Sequence, residues 1–71
     1  MSAYIRAEEL TAGIRAGRYV KDYHRILTNY RYYDDRCAWP YYAINGKLIG
    51  YYRTYTGVDG IAVRVYYRKV K

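Results

Sequence analysis

Phenylalanine is absent from this sequence, and cysteine, proline, tryptophan, histidine and serine each occur once. Each scarcity excludes something. With Cys37 alone, no disulfide can form within the chain. A lone thiol suits a reducing cytoplasmic setting, where it behaves as a small buried apolar residue. His24 and Cys37 are the only soft metal ligands, whereas a structural zinc site takes four, so neither metal nor other cofactor is expected. No run approaches the ~20 apolar residues of a membrane-spanning helix. Met1 to Arg6 lacks the apolar centre of a signal peptide, and a cytoplasmic location is expected.

Catalytic groups are equally sparse. Ser2, the one serine, sits near the start of the chain, and His24 has no neighbouring nucleophile and acid arranged for it. Asp34 and Asp35 have the character of turn residues, and Asp22 and Asp59 are isolated, so no acid–base pair is suggested. Gly57 to Gly60 is a short turn without a following helix to cradle a phosphate. The expectation is a non-enzymatic protein.

What is abundant is tyrosine and positive charge. Thirteen tyrosines and thirteen Lys plus Arg stand against six Asp plus Glu, for a net charge of +7 in 71 residues. Because phenylalanine is missing, nearly every large ring carries a hydroxyl that must find a partner or reach water. A single domain of this length buries only about 60% of its unfolded surface. Many of the tyrosines must therefore lie at the surface.

The chain changes character once. Ala7 to Gly17 has a helical pattern: Glu8 and Glu9 suit the first turn, Arg15 and Arg18 the end, Leu10 and Ile14 share a face, and Gly17 is a stop. From Arg25 onward the chain reads as strands. Asn45-Gly46 and Asp59-Gly60 are hairpin signals and Asp34-Asp35 a weaker one. They divide residues 25–33, 36–44, 47–56 and 61–70 into runs rich in Tyr, Val, Ile and Thr. The fold class is α+β, an N-terminal helix packed on an antiparallel meander of three or four strands. Pro40 cannot donate to a sheet ladder, so its strand should be an edge or carry a bulge there; either the missing donor falls at a non-bonded position or residues 25–33 are not its neighbour.

Two-residue turns at these sites assign faces. Cys37, Trp39, Tyr41, Ala43, Leu48, Gly50, Tyr52 and Thr54 share a charge-free side, joined by Val63, Val65 and Tyr67 and by Ile26, Thr28, Tyr30 and Tyr32. That side is read as core, with Trp39 as its anchor; the alternative for Trp39 is an exposed aromatic platform. The other carries Tyr42, Ile44, Lys47, Ile49, Tyr51, Arg53 and Tyr55, with Arg64, Tyr66 and Arg68 from the last strand and Arg31 and Tyr33 from the first. Tyr42, Lys47, Tyr51, Arg53, Tyr55, Arg64, Tyr66 and Arg68 are thus the candidate ligand-binding set. The opposite assignment of faces would make the outer tyrosines core and the arginines their wet rim.

Rings interleaved with guanidinium groups suit a polyanion. Bases stack on the rings at about 1–3 kcal/mol each, and cations neutralise phosphates with release of counterions. Single-stranded nucleic acid is the favoured partner. The surface logic resembles that of RNA-recognition domains, although the element order differs and their aromatic signatures are absent. The alternative is a small inhibitor or adaptor in the style of phage and mobile-element accessory proteins, such as anti-CRISPR inhibitors. It would dock on an acidic protein surface through Tyr and Arg hot spots. The exposed sheet edges also admit a homodimer.

Overall fold

The computed structural model describes residues 4–27, 36–56 and 61–70. Their elements are β1 (Ile5–Arg6), α1 (Ala7–Arg15), β2 (Tyr19–Leu27), β3 (Cys37–Tyr42), β4 (Leu48–Thr56) and β5 (Ala62–Lys69). The five strands form an antiparallel sheet in the order β1-β3-β4-β5-β2. One short helix against one antiparallel sheet is an α+β arrangement, with five strands where three or four were expected.

The helix forms where its charges suit it, with Glu8 and Glu9 in the first turn and Arg15 in the last. The side chain of Arg6, at the N-cap, makes no capping hydrogen bond. Instead the Ala7 N–H donates to the Arg36 carbonyl at 2.8 Å, which ties the first turn to the chain entering β3. The end is a Schellman motif: Gly17 N–H donates to Ile14 O, and Arg18 N–H to Gly13 O. Gly17 takes the left-handed conformation this closure needs, with φ of 80°.

The motif returns the chain directly into β2, which therefore begins at Tyr19, well before the expected start at residue 25. Tyr19 comes back under Gly13, where a Cβ would lie 2.5 Å from two of its ring carbons. Ala7, Leu10 and Gly13 are the buried residues of the helix. The ring of Tyr19 also meets that of Tyr51 edge-on, at 6.0 Å between centroids. A shallow groove lined by Ala7, Glu8, Thr11, Ala12 and Arg15 of the helix together with Arg53 of the sheet marks the same side.

The meander holds for β3, β4 and β5 only. β2 pairs along its length with β5, from Tyr19↔Lys69 to Leu27↔Ala62, and so lies at the far edge rather than beside β3. Beyond Ala38, β3 is itself an edge among the described residues, because β1 pairs only with Cys37 and Ala38. Pro40 is tolerated there for that reason. The turns at Asp34-Asp35 and Asp59-Gly60, and Thr28, Tyr30, Arg31, Tyr32 and Tyr33, lie outside the described residues.

Two details of register correct the expected faces. At the first hairpin, Gly46 N–H donates to Ala43 O and Gly46 alone is left-handed, at φ 85°. This is a longer turn than the two-residue one, and a bulge at Tyr41/Tyr42 offsets it. Pro40↔Tyr51 and Trp39↔Tyr52 therefore still pair as a two-residue turn would have them, whereas Tyr42 pairs with Leu48 instead of Ile49. Between β4 and β5 nothing restores the slip. Tyr51 pairs with Tyr67 and Arg53 with Val65, where Arg68 and Tyr66 were expected. A slip of one residue turns every side chain of a strand over.

Candidate functional site

The slip divides the expected binding set between two faces. Tyr51, Arg53 and Tyr55 stand on the helix side with Val63, Val65 and Tyr67, whereas Arg64, Tyr66 and Arg68 stand on the opposite side with Tyr52. Side-chain contacts agree with the register. The Arg53 guanidinium lies 4.5 Å from the Tyr55 ring centre, and the Tyr55 and Tyr67 hydroxyls are 3.2 Å apart. Across the sheet, Arg64 lies 4.8 Å from the centre of Tyr52. Lys47 and Tyr42 are exposed near the β3–β4 turn and join neither group. The shared basic aromatic face predicted from the sequence is therefore not formed.

The helix-free side carries a different grouping, built by register. Trp39 pairs with Tyr52, Tyr52 with Tyr66, and Tyr66 with Tyr23, giving one ring from each of β3, β4, β5 and β2 in a line across the sheet. Tyr4, just ahead of β1, extends the line, its ring 5.1 Å from Trp39. Tyr66 is the hub. Tyr23 stacks on it at 4.4 Å and 12°, Tyr41 meets it edge-on at 5.1 Å, and Tyr52 lies tilted at 5.1 Å. Such ring pairs add about 0.5–1.5 kcal/mol each beyond the area they bury.

Two residues along each strand, on the same face, lies a second row. Arg25 pairs with Arg64 and Arg64 with Thr54, while at the other end Arg6 pairs with Cys37. Arginine thus recurs beside the aromatic line at both of its ends and near its middle. The Nε of Arg64 is buried without a hydrogen-bond partner among the described residues, its guanidinium held over Tyr52. On the other flank, Arg68 pairs with Val20 and Gly50. Arg6, Arg25 and Arg68 are exposed.

A bulge between Lys21 and Tyr23 gives the face its carboxylate. Asp22 is the extra residue there, and it accepts a hydrogen bond from the Tyr41 hydroxyl at 3.0 Å. Burial, and then this bond to a carboxylate, push the Tyr41 hydroxyl well above its ordinary value. On the helix side, burial and the Tyr55 hydroxyl push Tyr67 up to about 12, and burial also raises Tyr19. The first of these leaves Tyr41 a neutral donor across the physiological range.

The ends of the aromatic line are open and its middle is closed. Tyr4, Trp39 and Tyr23 are 42%, 41% and 46% exposed, whereas Tyr66 is 7% exposed and Tyr52 half-buried. Trp39 is thus no core anchor; it packs on Tyr4 at the edge of the helix-free face. Ile26, expected inside, is 61% exposed on the edge strand, where it pairs with Val63.

Sequence reasoning passed over Tyr4, Tyr23, Arg6 and Arg25, and it assigned Trp39, Tyr41 and Tyr52 to the interior. One signal was available: a helix of about ten residues cannot cover so many rings, each with a polar edge to satisfy. No protein-family model, curated protein or solved structure matches this chain.

Proposed function

We propose that this chain binds single-stranded nucleic acid on the helix-free face of its sheet. The observation that carries the reading is the aromatic line Tyr4, Trp39, Tyr52, Tyr66, Tyr23 with Arg6, Arg64 and Arg25 in the row beside it. A base has two flat faces and a phosphate beside it. Exposed rings next to guanidinium groups address both at once. A duplex hides the faces of its bases, so the line favours unpaired strands.

The chemistry is binding without reaction. Stacking is tolerant of base identity, because every base presents a π-face. Arginine holds phosphate through two parallel N–H bonds and does not lose its charge. A net charge of +7 adds long-range attraction for any polyanion.

Fluorescence titration of single-stranded DNA and RNA oligonucleotides at two ionic strengths tests this. Binding is expected at low salt and weakens steeply as salt rises, with duplex of the same length held more weakly. Absence of binding to either single strand at low salt overturns the reading. Capture of a partner protein from lysate that survives nuclease treatment would favour docking on an acidic protein instead, through the same exposed Trp39 and Tyr4.

A further inference from the structure

We infer that the face takes bases at two separate places, one at Tyr4 and Trp39 and one at Tyr23, bridged by a strand of three nucleotides whose middle base is not stacked. The inference rests on the nucleic-acid reading above and goes beyond it in giving the length and pattern of the ligand.

It follows from which rings are open. Only the ends of the aromatic line present faces to solvent, with Tyr4, Trp39 and Tyr23 each more than two-fifths exposed. Between them, Tyr66 is buried beneath Tyr23 and against Tyr41 and Tyr52. The ring of Tyr52 is occupied by the guanidinium of Arg64. Among the described residues, a base arriving over the centre of the sheet finds no free ring.

The spacing fits three nucleotides. Trp39 on β3 and Tyr23 on β2 are separated by three strand spacings, since β4 and β5 lie between them. At ~4.8 Å per spacing the platforms are ~14 Å apart. A strand advances about 3.4 Å per nucleotide in a duplex, and about twice that when its bases splay, so two steps cover the gap. The first and third bases then reach the platforms.

Charge lies where the connecting backbone would run. Arg64 and Arg25 form one flank near the centre and the Tyr23 end, and Arg6 stands on that flank near the Tyr4 end. Arg68 stands on the other flank, opposite Gly50. Asp22, at the Tyr23 end, accepts a hydrogen bond from the Tyr41 hydroxyl. Phosphates between the first and third bases would pass between Arg64 and Arg68.

Oligothymidylates of one to six nucleotides provide the test, together with trinucleotides carrying an abasic site at each position in turn. Affinity is expected to rise sharply between two and three nucleotides and little thereafter. An abasic first or third position lowers trinucleotide affinity about tenfold, and an abasic middle position costs less than twofold. Trp39→Ala and Tyr23→Ala each weaken the trinucleotide about tenfold, while Trp39→Phe and Tyr23→Phe, which keep a flat ring, retain most of the binding. Equal losses at all three abasic positions, or a smooth gain per nucleotide, overturn the two-platform inference and leave single-strand binding standing. No binding by any oligonucleotide at low salt overturns both.

Discussion

Tyr23 lies flat on Tyr66, their ring centres 4.4 Å apart and their planes 12° from parallel, although 43 positions separate them in the chain. The pair joins the edge strand β2 to β5. It also buries Tyr66 against Tyr41 and Tyr52, so one residue of β5 gathers rings from three other strands. Among the described residues few aliphatic side chains are fully buried, and Leu10 is the largest of them. Stability on the helix-free side therefore depends on ring packing.

Tyr66→Ala is expected to cost about 3 kcal/mol, at the low end for loss of a buried aromatic ring because the cluster is partly open to water. Tyr66→Phe keeps every ring contact and should cost less than about 1.5 kcal/mol. Urea unfolding followed by circular dichroism measures both. Equal effects of the two substitutions would mean that the hydroxyl, and not the ring, holds the cluster together.

Gly13→Ala reverses the usual rule for helices. Alanine is favoured over glycine in a helix interior by about 1 kcal/mol. Here the added methyl would lie 2.5 Å from two ring carbons of Tyr19, a ring that also meets Tyr51. The ring must move, and a net loss of about 1–2 kcal/mol is expected from the overpacking. A rise in Tm for Gly13→Ala would show that Tyr19 can swing away without cost. The control is Ala12→Gly on the exposed part of the helix, which should lower Tm by propensity alone.

How much of this was legible in the sequence can be traced to particular residues. The helix was readable because Glu8, Glu9, Arg15 and Gly17 are local signals that need no knowledge of the sheet. Trp39↔Tyr52 was readable for a less secure reason, since the longer turn at Gly46 and the bulge at Tyr41/Tyr42 cancel. Thr56↔Ala62 shows the same kind of error without a compensating bulge, and it turned Arg64, Tyr66 and Arg68 away from Tyr51 and Arg53. β2 was hidden by its own bulge, because the extra residue Asp22 breaks the alternation that marks a strand. Tyr23 and Arg25, two of the residues that make the candidate site, sit just beyond that break. Long-range pairing decided the site, and composition carries no record of it.

Alkaline pH should loosen the domain through Tyr41 and Tyr67. A phenol in the unfolded chain titrates near 10. In the folded protein burial and the Tyr55 hydroxyl push Tyr67 up to about 12, and burial and the Asp22 carboxylate also raise Tyr41 above its ordinary value. Below about pH 10 both hydroxyls are protonated in both states, so their stabilising contribution is complete there. As pH rises further the unfolded chain gives up its protons first, and stability falls until the folded hydroxyls ionise too. Tm measured from about pH 8 to pH 11.5 should be flat at first and then decline. Tyr41→Phe makes the decline shallower, as the variant has one fewer delayed phenol. An unchanged slope in Tyr41→Phe would mean that this hydroxyl is not held in the protonated form by the fold.

The two faces separate in the salt dependence of binding. Each phosphate neutralised on a single strand contributes about 0.7 to the slope of log affinity against log salt. Arg25→Ala, Arg64→Ala and Arg68→Ala, all on the helix-free side, should each reduce that slope by about this amount. Arg64→Ala also removes the cation over Tyr52 and opens a ring at the centre of the line, so its loss at low salt should be partly offset by new stacking. Arg53→Ala removes the same charge from the helix side and should leave the slope unchanged. If Arg53→Ala lowers the slope as much as Arg68→Ala does, phosphates contact both sides of the sheet. The helix-free face would then not be the sole binding surface.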